Sequence, residues 1–302
     1  MKNYLVVILI CVTAGYAFSQ QTYKESKFLT ETYSYNQGDK IMISGERTFI
    51  TIENSEDGQV EANVEVISRY NNQSQARADL EKMKLQFQKK GSVLYYSNAL
   101  RIDDPKDKPK SNLKTILHLK VPTNANIEVA NSYGGLSING IMNYINVESR
   151  FCTTDANGFS GTLVVKSKYG TIECANSKAT IEVSGNRSDL ALNNISGDIV
   201  ADLKYGNIDI SFIEDTQKID ISTEDTPVTL IVSEKLSKNL SLQCKECDID
   251  TDNCTNSISQ DKNGSVHKVT VNDKSIDSQI RKIHSKKGDI KIITAATITN
   301  SK

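Results

Sequence analysis

A nine-residue rhythm constrains this chain more than any other feature. Apolar residues stand at Ile127, Leu136, Ile145, Leu163, Ile172, Ile181, Leu190, Ile199 and Ile208, nine apart except where Thr154 fills the place. Two residues further on runs a second column, with Val129, Ile138, Val147, Val165, Cys174, Val183, Leu192 and Ile210 among its members. The residues between the columns, such as Glu128, Ser137, Asn146 and Glu173, are mostly polar. Apolar-x-apolar units of this kind are strands with one buried face. Burial fixes their register, because a one-residue slip would turn the whole apolar set outward.

A longer period sits on top of the short one. Gly140, Gly158, Asn176 and Asn194 form a column 18 residues apart, and Gly and Asn are the residues that best tolerate positive φ at a corner. Ser167-Lys168-Tyr169-Gly170 is echoed 36 residues later by Leu203-Lys204-Tyr205-Gly206 and is preceded 36 residues earlier by Ser132-Tyr133-Gly134. One coil is therefore read as 18 residues holding two nine-residue strand units. Such coils stack about 4.8 Å apart into a parallel β-solenoid; the corner columns argue against three strands per 27 residues. Past Ile210 the period stretches to Ile219-Ile221, Val228-Leu230 and Leu240-Leu242, so small insertions loosen the coils, and the last regular unit is Gly288-Asp289-Ile290-Lys291-Ile292. Composition agrees with an all-β chain, with 32 Ile and 26 Asn against 4 Pro and no Trp.

An open solenoid end offers unpaired strand edges, so a cap is expected. Residues 20–126 are read as a small α+β cap and 127–302 as the solenoid. In the cap, residues 39–70 alternate as a small antiparallel sheet, and a helix follows, with Ser74 as its cap and Ala76, Leu80 and Met83 on one face. Asp103 to Asn112, with Pro105 and Pro109, is a loop.

Residues 1–19 read as a signal peptide. Lys2 supplies the positive end, Tyr4 to Ala14 the apolar stretch, and Ala17-Phe18-Ser19 the small residues before a cut at Gln20. Cys11 is no lipoprotein site, since Ile10 stands where a small residue is needed. No later segment has the roughly 20 apolar residues of a transmembrane helix. The expectation is an exported protein of the periplasm, cell surface or extracellular space. With 36 Lys+Arg against 37 Asp+Glu, the formal charge of -1 gives no case for nucleic acid.

The early Val60-to-Ile67 strand and the helix after it, the lead-in Leu117-His118-Leu119-Lys120-Val121-Pro122-Thr123-Asn124-Ala125-Asn126-Ile127 and the repeated Gly-x-Ile-x-Ile units together resemble the putative-adhesin family of bacterial exported β-strand-repeat proteins, a domain of unknown function. The resemblance covers most of the mature chain, and the Val-Pro-x-x-Ala-x-Ile lead-in is its most specific piece. It implies a β-solenoid at the envelope or surface and carries no catalytic residues. The Cys-rich stretch from Leu240 to Ser265 departs from it.

The mature chain has five cysteines, Cys152, Cys174, Cys244, Cys247 and Cys254, an odd number for an exported protein. Cys174 falls in the inward column and Cys152 in a corner column with Gly134, Gly170 and Gly206. In a straight strand Cys244 and Cys247 face opposite sides, about 10 Å apart. A bridge then needs a turn there, or Cys254, which makes Cys247 and Cys254 the disulfide candidates. Zinc would lack a fourth ligand nearer than His267. The Gly-Gly-x-Gly-x-Asp turn of a calcium roll is absent, and no metal or cofactor is expected. Asp155, Glu173 and Asp209 read as a solvated face, and His118, His267 and His284 stand in unrelated strands.

One surface feature points to ligand binding. Tyr133, Phe151, Tyr169, Arg187 and Tyr205 recur at 18-residue spacing along one edge, flanked by Arg150, Lys168 and Lys204. Flat rings stack on sugars, and cations meet acidic glycans or stack on the rings themselves. The expected function is a non-enzymatic adhesin-like or scaffold module whose partner is a glycan or an envelope protein. The alternatives are a carbohydrate-active parallel β-helix enzyme, which tight coils disfavour, and a filament that self-associates through the solenoid ends.

Overall fold

In the computed structural model, which describes residues 22–104, 106–213, 218–233, 240–253, 258–271 and 281–295, the alternation of the sequence sorts into two runs of hydrogen-bonded strands around one core. The expected leader and Cys254 lie outside the described residues. The chain opens with β1 (Tyr23–Ser34), β2 (Lys40–Glu46), β3 (Thr48–Asn54) and β4 (Gln59–Tyr70), passes through helix α1 (Gln73–Leu80), and continues with β5 (Met83–Lys90), β6 (Val93–Leu100) and β7 (Asn112–Val121). β8 (Asn126–Ser132) leads into three long strands, β9 (Gly135–Arg150), β10 (Thr153–Lys168) and β11 (Thr171–Asn186). Shorter strands follow: β12 (Asp189–Ser196), β13 (Ile199–Lys204), β14 (Ile208–Ile213), β15 (Ile219–Glu224), β16 (Val228–Ser233), β17 (Leu240–Lys245), β18 (Ile249–Asn253), β19 (Ile258–Asn263), β20 (Val266–Val271), β21 (Arg281–Lys286) and β22 (Ile290–Ala295).

Each long strand serves both runs. The first half of β10 pairs in parallel with the first halves of β9 and β11, and its second half does the same with theirs. Leu163 lies between Ile145 and Ile181, each 18 residues away in sequence (163 less 145, and 181 less 163). The inward columns of both runs are buried, Ile127, Ile145, Leu163, Ile181 and Ile199 at 0% exposure on one side and Leu136, Ile172, Leu190 and Ile208 close to it on the other. Cys174 is buried in the inward column and Thr154 is buried where it interrupts its own. Two facing apolar columns per coil leave each coil able to hide its core only against its neighbours, which is why the stack forms.

The structure departs from the sequence reading at both ends. β2 and β3 are no antiparallel sheet: β2 runs parallel to β6 and β8, and β3 parallel to β7 and β9, so they extend the two runs across residue 126. Alternation alone is the same for parallel and antiparallel partners, so it did not distinguish them. The antiparallel pairs lie farther out, β1 on β4, β4 on β7 and β5 on β6. At the other end the coils leave chain order. β21 pairs in parallel with β15 on one side and β17 on the other, and β22 lies likewise between β16 and β18. The last described strand pair is thus wedged inside the stack, and that edge is closed by β20, antiparallel on β17, with β19 antiparallel on β20.

The helix starts two residues earlier than a Ser74 cap would place it. Asn72 is the N-cap, its side chain accepting from the Gln75 N–H, and Met83 belongs to β5 instead of the helix face. The loop after β6 is tied down by Asp79, whose fully buried carboxylate accepts from the Lys110 and Ser111 N–H groups and the Ser111 hydroxyl. Burial pushes that carboxyl up, but the Ser111 bonds, with Lys82 and Gln75, outweigh it and hold it below the ordinary value.

Candidate functional site

The site is built at the corner where the chain crosses from the second run to the first. Tyr133, Phe151, Tyr169, Arg187 and Tyr205 each occupy that corner with φ between 54° and 59°. Left-handed backbone costs an L-residue roughly 1–2 kcal/mol, so it needs compensation. Each of these residues has it: the N–H of Tyr133 donates to the Arg150 carbonyl at 3.0 Å, Phe151 to Lys168 at 2.9 Å, Tyr169 to Asn186 at 3.1 Å, Arg187 to Lys204 at 2.8 Å and Tyr205 to Glu224 at 3.1 Å. The corner backbone therefore stitches coil to coil while its side chains point into solvent.

The position after each ladder residue explains the 36-residue echo. Gly134, Gly170 and Gly206 alternate there with Cys152, Ser188 and Thr226, and each glycine N–H donates to the side chain of the next coil: Gly134 to Cys152 Sγ at 3.4 Å, Gly170 to Ser188 Oγ at 3.4 Å and Gly206 to Thr226 Oγ1 at 3.2 Å. A Cβ on Gly134, Gly170 or Gly206 would sit 1.9–2.3 Å from a carbonyl oxygen of the preceding coil. Two coils, one with glycine and one with a small polar residue, form the repeating corner.

The side chains form a continuous stack. Tyr133 and Phe151 lie with ring centroids 5.1 Å apart and planes 6° from parallel, and Phe151 and Tyr169 are 4.8 Å apart at 7°. The Arg187 guanidinium stands over the Tyr169 ring, 5.6 Å from its centre. The four aromatic residues keep 44–56% of their surface exposed, unusual for large apolar side chains that a monomer has no need to display. Phe49, which the sequence reading missed, adds a further exposed ring beside Gly135, with the Lys114 ammonium 3.8 Å from its centre. Its distance in sequence from the repeat hid it; its pairing with Gly135 in the parallel stack reveals it.

Of the flanking cations, Lys204 is held by Glu224 at 3.0 Å, whereas Arg150 and Lys168, register partners on adjacent strands, form no ion pair among the described residues. Beside them opens a groove of about 760 Å³, lined by Arg150, Lys166, Lys168 and Lys204 and by Glu148 and Asp202. All eight expected site residues thus come together on one edge.

The other candidates disperse. Cys244 and Cys247 are joined in a disulfide with Cα atoms 5.5 Å apart, because β17 ends at Lys245 and Glu246 turns the corner at φ 60°. The expected pairing of Cys247 with Cys254 is replaced accordingly. Cys152 and Cys174 are free and buried, and burial pushes the Cys174 thiol up. Asp155 and Glu173 are register partners, but Ala191 separates Glu173 from Asp209. Burial and then the Glu173 charge raise the Asp155 carboxyl. The three histidines stand on β7, β20 and β21. Among the described residues no three His, Cys, Asp or Glu side chains gather to hold a metal, and no helix is long and apolar enough to cross a membrane.

A family model described as Toastrack DUF4097 matches residues 38–293. Among solved structures, the chain is similar to a putative adhesin from Bacteroides fragilis, at 14% identity and a TM-score of 0.41, over 89% of this chain and 97% of that one. It is similar also to a putative cell adhesion protein from Clostridium sporogenes, at 12% identity and a TM-score of 0.27, over 90% and 100% of the two chains. A putative lipid binding protein from Parabacteroides distasonis aligns at 10% identity and a TM-score of 0.34, over 88% and 96%. No curated protein matches.

Proposed function

The chain belongs to the Toastrack DUF4097 family, and from that premise we propose that it is an exported, non-enzymatic binding module of the cell envelope or surface whose corner ladder takes an acidic glycan. In this reading residues 1–19 are a removed leader, and residues 20–126, whose β2 and β3 already continue the two runs, cap a solenoid of about 18-residue coils that goes on through 127–302. The observation that carries it is the half-exposed ladder, stacked from Tyr133 through Phe151 to Tyr169, with Arg150 and Lys168, which form no ion pair among the described residues, alongside. The faces inside the stack are taken up by one another, so a sugar meets the exposed ring edges and the phenol hydroxyls of Tyr133, Tyr169 and Tyr205, and a carboxylate on the same sugar meets the guanidinium or ammonium beside it. The stack repeats at the strand spacing of about 4.8 Å, comparable with the length of one sugar unit, so successive rings can meet successive coils. The tight corners along the ladder add no long loops of the kind that carry paired catalytic carboxylates.

The test is a binding screen of residues 20–302 against acidic and neutral glycans and against cell-envelope fractions. Retention of acidic glycans and their loss on Arg150→Gln/Lys168→Gln substitution is the expected result. Binding only to an envelope protein, unaffected by those substitutions, would contradict it.

A further inference from the structure

A second cavity, of about 540 Å³, lies on the same outer face and shares Ser44, Ala130 and Glu148 with the groove beside the ladder. Following the register strand by strand shows what joins them. Gln86 pairs with Ser97, Ser97 with Ser44, Ser44 with Ala130, Ala130 with Glu148, Glu148 with Lys166, Lys166 with Ser184 and Ser184 with Asp202. These eight residues form one outward column crossing eight strands, about 34 Å at roughly 4.8 Å per strand. Four of them, Ser97, Ser44, Ala130 and Ser184, are small, and they lower the floor of the trough. One wall is the column Gln88, Tyr95, Met42, Glu128 and Asn146. The other is the column Ser132, Arg150, Lys168, Asn186 and Lys204, with the aromatic ladder beyond it.

The two ends differ in chemistry. Near the ladder the trough is cationic. Arg150 and Lys168 face each other across adjacent strands, where like charges are destabilising, and no carboxylate offsets them among the described residues, whereas Lys166 has Glu148 at 3.8 Å. At the far end Gln86 and Gln88 offer amides and Tyr95 a phenol, and on the wall opposite Arg150, on the same strand, stands Asn146. Asn146 Oδ1 is buried and accepts no hydrogen bond among the described residues, a costly state unless something supplies a donor. A polymer with carboxylates and many hydroxyls matches both ends.

Resting on the functional reading above, we propose that the ligand is an extended acidic polysaccharide lying along the solenoid axis in this trough, perpendicular to the strands, with its sugar carboxylates at Arg150 and Lys168 and its hydroxyls at the amides of the far end. Chain length is then the diagnostic. A ligand spanning several subsites gains affinity because later contacts are intramolecular, so an oligogalacturonate series should bind more tightly with length, by about tenfold or more from the disaccharide to a chain that fills the trough. Ala130→Trp, an exposed position at mid-trough, should abolish that gain. Gln88→Ala/Tyr95→Ala, at the far end, provides a second variant and should reduce the gain in the same way. Affinity independent of length, or a gain that survives both variants with unaltered melting, overturns the trough and leaves the ladder reading standing. Failure of every length to bind overturns both.

Discussion

At the ladder, one residue does two jobs: its backbone carries a coil-to-coil hydrogen bond and its side chain is displayed to solvent. The two can be separated by substitution. Tyr169→Asn keeps a residue at ease in left-handed backbone and loses the Phe151 stack and the Arg187 contact at an exposed site, so stability should change by about 1 kcal/mol. Gly206→Ala, one position past Tyr205, puts a Cβ 1.9 Å from the Ser188 carbonyl oxygen and should cost about 1–3 kcal/mol by overpacking. Urea unfolding of both variants measures the contrast, and equal losses would contradict this division of labour. Glu224 supplies a pH test. Its hydrogen bond from Lys286 first, and then that from Lys204, hold its carboxyl down to about 2 from an ordinary 4.5. A depressed pKa stabilises the fold above the unfolded value and loses that contribution as pH falls from about 4.5 toward 2. Glu224→Gln should therefore flatten the stability profile in that window and leave its shape unchanged above it. The ladder itself was legible at this scale because its spacing is strict. Phe49 was not, since a residue far outside the repeat reaches the column beside the ladder only through strand pairing.

At the scale of the element, a strand here is defined by two inward residues and the coil on either side. Thr154 breaks that definition: it sits in an inward column, buried, with an Oγ1 that has no hydrogen-bond partner. An unsatisfied buried hydroxyl costs about 1–3 kcal/mol, so Thr154→Val should raise stability by about 1 kcal/mol, read from the denaturation midpoint. Loss of stability would mean that the hydroxyl has a partner in solution. The nine-residue alternation made these elements visible in the sequence. It could not give their partners, because an apolar-x-apolar unit looks the same on a parallel or an antiparallel neighbour, and β2 and β3 were misread for that reason. The disulfide was misread for a related one. Cys244 and Cys247 are far apart in a straight strand and close across a corner, and Glu246 is not a residue whose type announces positive φ.

At the scale of the molecule, the distinctive feature is that the final strand pair is not final in space. β21 and β22 lie between the coil of β15 and β16 and the unit of β17 and β18, so they cover strand edges on both sides. A chain ending after residue 271 would expose the parallel edges of β15 and β16 and of β17 and β18, which invite pairing with other copies. Size exclusion across a concentration series should move that truncated chain to larger species than the full chain at equal concentration; identical elution would argue against the wedge. No repeat period announces this arrangement, since Gly288-Asp289-Ile290-Lys291-Ile292 has the same pattern whichever coil it joins. The solenoid was readable, and the order of its last coils was decided by tertiary pairing.

The central claim is that the ladder is a ligand surface carried by the fold and not a device that holds the fold together. Measuring melting temperature and acidic-glycan binding on the same Tyr169→Ser/Tyr205→Ser variant tests it directly. The account predicts binding lost with the melting temperature within a few degrees of the native value, as expected for changes of about 1 kcal/mol. A large drop in melting temperature with glycan binding retained would contradict it.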